Sequence, residues 1–561
     1  MYAILATLPI ALAIVMMLGF RKKSGISLAA AWALSIVLSV LFWNMEISHA
    51  LSYTFLGFLS AVNVILIVFS AIFLLNSLIE IRFIETIGNG FNGITQDRRI
   101  QILIIAWLFG AFIEGAAGFG TPGALAAPLL VGLGVPVFFA ALASLMANYS
   151  PVLFGVLGVP PVTGFETIRP TLVEQYGVEM TEQFLHNLTT MTAFSNMFVG
   201  SFVPFLIIAS IVARDGRKEG LKNAWNIFPL CLFAGVIFTV PVFILSHAGP
   251  EIPTLVSSLI AMPIMIFAVK KGFLVPKEVY RFQNDPIKEA AEIKNTGVSL
   301  FTAWSPYIII AALLAVTRLP WLPFRGWINH PNTALSITAL FGFEGINWNW
   351  PVLNNPGLFP FLPVVLIFLI ARKTPGTTIM KITNKTLNQL KNAVVALLFG
   401  VALVQIMRFT DYSMLRAAES AAGVGFGQAY AGIGAMTTEI ARSLANVFGG
   451  AYPLVGPLIG ALGAFVSGSH TVSNVMFYSL QLETAALLEL PAVLVLIGQT
   501  SGASIGNMIA IHNVVSITAT TGAHGSESNL IKAAALPFII CSLAISAILF
   551  IFLAIGVPWV A

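Results

Sequence analysis

The sequence predicts an all-α polytopic membrane protein of about 12–14 transmembrane helices, with two inverted repeats, re-entrant hairpins and broken helices. Three observations support this fold class: the composition, the spacing of apolar runs and a duplicated motif. The 561 residues are 58% hydrophobic and only 9% charged, and the mean hydropathy is +0.91. Soluble proteins carry about 25% charged residues. Most of this chain is therefore expected to lie in lipid.

Apolar runs close to the roughly 20 residues needed to cross a bilayer recur along the chain. They are Tyr2–Phe20, Ser27–Trp43, Phe55–Leu78, Phe194–Val212, Trp225–Leu245, Leu300–Val316, Phe359–Ile370, Ala393–Met407 and Pro537–Val557. Apolar segments around 101–160, 425–470 and 488–520 contain Gly, Pro and polar residues, which predicts broken helices. The hydrophilic stretches at 163–190 and 271–297 are expected to be loops with amphipathic helical character.

Most of the 28 Lys and Arg residues fall in five hydrophilic stretches. These lie at Arg21–Lys23, Arg82–Arg99, Arg214–Lys222, Lys270–Lys294 and Arg372–Lys391. The positive-inside rule makes them cytoplasmic and places the N-terminus outside. The first apolar run is not expected to be a cleaved signal peptide, because its basic cluster follows it. The net charge of +5 thus reflects topology and gives no indication of nucleic-acid binding.

A short motif occurs twice. Gly110–Gly115 reads GAFIEG, and Gly463–Gly468 reads GAFVSG. Each copy is followed by a helix-breaking stretch, then by a proline 26 or 28 residues after its first glycine, and then by a polar cluster. The chain enters the first copy from the basic stretch Gln96–Arg99, and it enters the second copy from the uncharged stretch Tyr452–Pro453. Entry from opposite sides predicts inverted repeats, a common construction of secondary transporters.

The duplication suggests four regions. Residues 1–100 hold N-terminal helices and the first cytoplasmic loops, and 101–270 hold the first repeat, with a hairpin at 110–125. Residues 271–390 form a connecting loop and intermediate helices, and 391–561 hold the second repeat, with a hairpin at 463–477.

The first copy runs into Gly118–Gly123, which spells G-x-G-x-x-G. A dinucleotide site would need a βαβ unit and an acidic residue about 20 positions on, and the 20 residues after Gly123 contain no acid. We interpret the glycines as a turn at membrane depth whose N–H groups face an anion. Close helix packing through small residues is the alternative, although packing does not require Glu114, Thr121 or Pro122.

At these motifs the sequence resembles the bacterial and archaeal lactate permease family. The resemblance rests on TQDRRIQ (95–101), EGAAGFGTPGALAAPLL (114–130), ANYSPVLFGVLGVP (147–160) and SGSHTVSNVMF (467–477). It implies proton-coupled import of L-lactate, D-lactate and glycolate by rigid-body alternating access. It also implies a multi-pass protein in the cell membrane of a prokaryote. A homodimer is compatible with it, although the sequence gives no oligomeric state.

The resemblance also implies binding residues by position. They are Glu114, Gly118, Gly120 and Thr121 in the first hairpin, and Ser469, Thr471, Ser473 and Asn474 in the second. The family commonly has an acid at the position of His470 and a lysine at that of Asn507. This departure leaves the coupling residue and the substrate preference open.

Glu114 and His470 are the main candidates for binding the coupling proton. An ionised carboxylate costs at least ~2.5 kcal/mol at mid-membrane, so Glu114 should be neutral, paired or hydrated, which suits a proton carrier. His470 lies between two hydroxyl residues, and histidine changes charge near neutral pH. The alternative for each is a purely structural, hydrogen-bonded role, as it is for His512.

Arg408 and Asp411 end an apolar run. Arg408 is a candidate ligand of the substrate carboxylate, and Asp411 is a third candidate for the coupling proton. Their spacing of three also suits a helical salt bridge, and we favour that structural interpretation for Glu439 and Arg442.

Uncharged polar residues complete the predicted substrate site. They are Asn148, Tyr149, Ser150, Gln499, Ser501, Ser504 and Asn507. Together with half-helix ends they offer donors and acceptors for the one carboxylate and one hydroxyl of a small hydroxy acid.

Three other functions compete with proton-coupled transport. A transporter could use sodium, held by unwound backbone carbonyls. A membrane enzyme would need a nucleophile–base pair or a metal set, which the sequence does not offer, so we expect no enzyme, cofactor or metal. A non-transporting subunit does not account for paired broken helices. Cys231 and Cys541 lie in apolar runs and are expected to be core residues without a disulfide.

Overall fold

The computed structural model describes residues 1–20, 22–91, 93–118, 121–216, 220–283, 296–318, 323–328, 330–343, 346–411, 434–523 and 525–557. Numbered in chain order, the α-helices of the first half are α1 (Tyr2–Leu18), α2 (Ser24–Trp43), α3 (Ile47–Glu80), α4 (Phe83–Asn89), α5 (Arg98–Ile102), α6 (Gly110–Ala116), α7 (Thr121–Gly132), α8 (Val137–Ala147), α9 (Tyr149–Val152), α10 (Gly155–Val212), α11 (Gly220–Trp225), α12 (Phe228–Ser246) and α13 (Pro253–Lys270).

Those of the second half are α14 (Leu300–Arg318), α15 (Phe324–Ile328), α16 (Leu362–Ala371), α17 (Gly376–Arg408), α18 (Met436–Phe448), α19 (Tyr452–Ser467), α20 (His470–Leu487), α21 (Ala492–Asn507), α22 (Ile511–Thr521) and α23 (Glu527–Ile555). Short π-helices precede α6 at Leu103–Phe109 and α16 at Gly357–Phe361, and 3-10 turns lie at Pro331–Thr333, Leu340–Gly342, Val352–Asn354 and Gly449–Ala451.

The number of apolar helices confirms a polytopic, essentially all-α membrane protein. Within the described residues, nine helical segments are long and apolar enough to span a bilayer, and two bent helix pairs raise the number to eleven. The described residues also hold four shorter apolar helices, Tyr2–Met17, Thr121–Gly132, Leu300–Leu314 and Gly357–Ala371.

The hydrophilic stretch 163–190 is part of helix α10 and not a loop. Within α10 the backbone leaves helical geometry at Val156–Gly158 and again at Gly177. Arg169 pairs with Glu166 at 2.8 Å and also with Glu182. These partly exposed charges neutralise one another, so the helix continues through a polar sequence.

A two-stranded antiparallel ribbon is the other departure from expectation. β1 (Ala334–Ile337) pairs with β2 (Trp348–Pro351), and Ala334 lies opposite Pro351. The Nε1 of Trp350 in β2 donates to Asn63 Oδ1 of α3 at 2.7 Å, which ties the ribbon to a membrane helix.

The helices form one large and two smaller buried cores. The large core runs from α3 through α5–α10 to α21 and α23, and a second joins α1 and α2 to α17–α20. Helices α3 and α17 cross closely, since a Cβ added at Gly57 would lie 2.5 Å from the Ala402 Cα. Small residues at such crossings are how membrane helices gain packing energy in lipid.

Candidate functional site at the hairpin tips

The first repeated motif forms a re-entrant hairpin. Helices α5 and α6 lead inward to a turn at Gly118, and α7 returns from Thr121. Arg98 Nη1 at the start of α5 donates to the Leu133 carbonyl just after α7 at 2.6 Å. Both ends of the hairpin therefore lie together, and the turn is its tip.

Gly118 is required at this tip. Its φ is +52°, a conformation that L side chains rarely adopt, and an added Cβ would lie 2.0 Å from Val156 Cγ2. The hydroxyl of Thr121 donates to the Gly118 carbonyl at 2.6 Å, so this predicted substrate ligand already serves the turn. Gly120, also predicted to bind substrate, lies outside the described residues.

The second motif forms a matching hairpin from α19 and α20. At its foot, the Tyr452 hydroxyl donates to Gln481 Oε1 at 2.8 Å. At its tip, Gly468 has φ +71°, and an added Cβ would lie 2.4 Å from His512 Cβ. The side chain of Ser469 caps α20 by accepting from the Val472 N–H at 3.3 Å.

Each hairpin is followed by a broken helix, as expected. In the first repeat α8 and α9 end before three consecutive residues with positive φ, Val156–Gly158. In the second repeat α21 ends at Asn507 and α22 begins at Ile511. In both repeats the tip glycine packs against the broken helix, at Val156 in the first break and at His512 just after the second break.

Glu114 lies at the centre of the first repeat. It is 2% exposed, and Asn148 is a hydrogen-bonding neighbour of its carboxyl group. Its Oε1 lies so close to Gly155 that an added Cβ there would be 2.3 Å away. The carboxyl group is therefore held between the first hairpin and the broken helix.

His470 joins the two repeats. Its Nδ1 lies 3.0 Å from the Val152 carbonyl at the end of α9, and its ring also lies near the Thr500 backbone in α21. Asn474 Nδ2 donates to the Pro160 carbonyl at 3.1 Å, and the Ser504 hydroxyl donates to the Tyr149 carbonyl. Groups of the second repeat thus satisfy carbonyls freed at the break in the first.

Several predicted ligands are used to hold the second hairpin in place. Gln499 Nε2 donates to Ser473 Oγ at 3.1 Å, and Gln481 Nε2 donates to Gln499 Oε1 at 3.0 Å. Asn507 Oδ1 accepts from Asn513 at 2.7 Å across the second break. These amides have structural partners in this conformation.

Other predicted ligands point away from the tips. Ser150 accepts a hydrogen bond from Asn196 Nδ2 at 2.7 Å. The Tyr149 side chain faces Cys541 on α23. Thr471 is buried beside His470. Cys231 and Cys541 are both free and buried.

Six buried polar atoms on the segments around the tips have no hydrogen-bond partner in the described part of the chain. They are Glu114 Oε2, Ser144 Oγ, Asn148 Oδ1, Tyr149 Oη, His470 Nε2 and Ser501 Oγ. Buried polar groups are nearly always paired, because leaving one unpaired costs about 1–3 kcal/mol. A polar ligand or water with donors and acceptors would satisfy this set. No group of three His, Cys, Asp or Glu side chains in the described ranges is placed to hold a metal ion.

Arg408 and Asp411 do not lie at the tips. The Arg408 guanidinium donates to Thr171, and α17 ends at Arg408, so no helical pair with Asp411 forms. Arg408 instead has Glu483 as a charged neighbour, 13 residues along α20 from His470, which is about 20 Å in a helix. The expected pair of Glu439 and Arg442 is confirmed at 2.8 Å.

Sequence reasoning missed Glu483. It lies in the otherwise uncharged helix α20. Like Glu114, it is a lone acid in an apolar segment, and this is the signal that could have identified it.

The chain is similar to known permeases over most of its length. The family model described as L-lactate permease matches residues 2–556. A protein named putative L-lactate permease from Haemophilus influenzae is 28% identical over 558 residues, covering 96% of each chain. The L-lactate permease of Bacillus subtilis is 28% identical, covering 91% of this chain and 89% of that one. The glycolate permease GlcA of Escherichia coli is also 28% identical, covering 94% of this chain and 92% of that one.

One solved structure, the YdaH transporter of Alcanivorax borkumensis, aligns over 96% of this chain and 99% of its own. The TM-score is 0.46 at 11% sequence identity, a likeness too weak to support an argument.

Proposed function

The chain belongs to the L-lactate permease family, and on that premise we propose that it imports L-lactate, D-lactate and glycolate by proton symport. The substrate class is supported by relatives named L-lactate permease and glycolate permease. The chain is a multi-pass membrane protein with many apolar helices. Its place is the cell membrane of a prokaryote, with the N-terminus outside, and a homodimer is compatible with this function.

One observation carries the proposal: a buried carboxyl group, Glu114, lies among unpaired polar atoms at the first hairpin tip. A permanently charged carboxylate is expensive in this setting. A neutral, protonated Glu114 offers an O–H donor to a substrate carboxylate. Substrate anion and proton then enter the low-dielectric interior as a neutral pair, which links their movements.

The remaining groups fit a small 2-hydroxy acid. Helices α7 and α20 begin at the hairpin turns, and helix N-termini favour a negative charge such as that of the carboxylate. Asn148 and Ser501 hold unpaired oxygens for the hydroxyl group. His470, which contacts both broken helices, links substrate binding in one repeat to the position of the other. Alternating access follows when the hairpins move together against the remaining helices.

Sodium coupling is the alternative. The left-handed residues Val156–Gly158 leave backbone carbonyls outside helical hydrogen bonding, and oxygen ligands of this kind suit a sodium ion.

Uptake of labelled lactate by the purified protein in proteoliposomes tests the proposal. An inwardly directed proton gradient without sodium should drive accumulation above equilibrium, with unlabelled glycolate and D-lactate as competitors. Accumulation that requires a sodium gradient would replace the proton with sodium. Failure of labelled lactate to enter would reject the substrate assignment.

A further inference from the structure

A second buried cluster lies far from the hairpin tips, and we call it the Arg408 cluster: Thr171, Arg408, Thr437 and Glu483. It joins the end of α17 to α10, α18 and α20. A hydrogen bond joins the end of α17 to the start of α18, because the Met436 N–H donates to Thr410 Oγ1 at 2.9 Å. Thr437, the next residue, donates to Glu483 Oε1 at 2.5 Å.

Arg408 is unusually buried for a cation that forms no ion pair with a described residue. It is 8% exposed, and its Nη2 donates to the neutral Thr171 hydroxyl. The guanidinium also lies 4.9 Å from the centroid of the Phe409 ring, which stacks on Tyr53 at 4.5 Å. Its Nη1 is buried and makes no hydrogen bond to any described residue.

Glu483 complements this arrangement. Its Oε2 is buried and has no partner among the described residues, like the Nη1 of Arg408. The two side chains are electrostatic neighbours, yet no ion pair within 4.0 Å joins them in the described contacts. An unmet donor and an unmet acceptor therefore belong to neighbouring buried side chains.

We propose that the Arg408 cluster is a second, proton-linked station for the carboxylate group of the substrate. Arg408 Nη1 donates to one oxygen of a small monocarboxylate, in the charge-assisted geometry that guanidinium groups favour. Protonated Glu483 donates its O–H to the other oxygen. The station thus takes one anion and one proton together, as Glu114 does at the tips, and the stoichiometry stays at one to one along the path.

The charges around Glu483 fit this role. Arg408 and Asp411, at and after the end of α17, are its charged neighbours, and Tyr53 of α3 is a neighbour of Arg408. Glu439 and Arg442 of α18 neutralise each other in their own ion pair, and Tyr452 of α19 is bonded to Gln481. On α10, Glu166 and Arg169 are also paired with each other. Arg408 is thus the unpaired cation of the described cluster.

The inference rests on the proposed function for its substrate, and uptake kinetics test it. Arg408→Lys keeps the charge but loses the planar donor pair, so the KM for lactate should rise about tenfold, the equivalent of one buried charge-assisted hydrogen bond. Arg442→Lys, in the neighbouring exposed pair, is the matched control and should keep the wild-type KM.

The proton link has its own readout. Glu483→Gln is fixed in a neutral form, so the rise of the lactate KM with pH should become shallower, and Glu483→Asp should restore the steeper profile. Glu439→Gln, the control carboxyl, should leave the profile unchanged. Size-exclusion profiles check folding. Thr171→Val and Thr437→Val each remove one hydrogen bond of the cluster, so each should raise the KM for lactate less than Arg408→Lys does.

Wild-type KM in Arg408→Lys, or a wild-type pH profile in Glu483→Gln, overturns the second station. If Arg408→Lys fails to fold, unchanged KM in both threonine variants overturns it. These failures are distinct from failure of the proposed function, which shows in the wild-type protein as absence of proton-driven lactate uptake.

Discussion

At the residue scale, Glu114 depends on two glycines that leave room for its carboxyl group. An added Cβ would lie 3.0 Å from Oε1 at Gly118 and 2.3 Å from it at Gly155. Backbone can therefore approach the carboxyl group closely, and Asn148 supplies a side-chain partner. A carboxyl group at this depth is stable when neutral or hydrogen-bonded, which is the condition for carrying one proton per cycle.

Glu114→Gln tests that role. The amide keeps the size of the side chain but cannot exchange a proton, so uphill lactate accumulation driven by a pH gradient should be lost. Lactate–lactate exchange, which moves no net proton, should continue. Uptake and counterflow in the same proteoliposomes measure the two activities, with Glu439→Gln as control. Full pH-driven accumulation in Glu114→Gln would remove Glu114 from the coupling role.

At the element scale, the two hairpins differ in how their feet are fixed. The first is held by charge: Arg99 Nη2 pairs with Asp97 at 2.6 Å, and Arg99 Nη1 donates to the Asn223 carbonyl at 2.7 Å. The second is held by neutral groups, Tyr452 and Gln481. The Asp97–Arg99 pair lies within the foot, and the charge-assisted hydrogen bond from Arg99 to Asn223 ties the foot to α11.

Gly468→Ala tests the close approach at the second tip. Gly468 and Gly522 both have positive φ, but a Cβ at Gly468 would meet His512, whereas nothing lies within 4 Å of one at Gly522. Alanine costs about 1–2 kcal/mol of backbone strain at either position. Gly468→Ala should therefore lose lactate transport, while Gly522→Ala should lose only stability. Thermal unfolding and uptake separate the effects, and equal uptake in both variants would count against a precise tip geometry.

At the scale of the whole molecule, the two repeats contact each other directly. The second hairpin contacts the broken helix of the first repeat through His470 and Asn474, and Gly123 of α7 packs against Ile517 of α22. A movement of one hairpin therefore reaches the other through direct contacts.

The basic stretches are predicted to lie on the cytoplasmic side of the membrane. Cysteines introduced by Lys22→Cys and Lys385→Cys should resist impermeant thiol reagents in intact cells, because both positions lie in basic stretches. Glu179→Cys, in an exposed part of α10 without that basic excess, should react. The buried native cysteines keep the background low. Labelling of Lys22→Cys and Lys385→Cys from outside would reverse the orientation.

The sequence was sufficient for the fold class, the two hairpins and the broken helices, because glycine, proline and polar residues interrupt apolar runs at matched spacing. It could not separate true tip residues from structural ones. Whether Gln499 faces a substrate or Ser473 depends on the packing of α20 against α21, and Arg408 is near Glu483 only because α17 ends beside α18. Such contacts between distant segments leave no periodic pattern in the sequence.

We propose that both hairpins form one substrate site. Protection of cysteines at the two tips from alkylation by bound lactate tests this proposal. Thr121→Cys and Ser469→Cys place a thiol at each tip, 348 positions apart in the sequence, and Ser299→Cys, at an exposed position before α14, is the control. We predict that lactate slows alkylation of both tip cysteines over the same concentration range and leaves Ser299→Cys unaffected. Protection of one tip without the other would contradict a shared site, because the substrate site would then belong to a single hairpin.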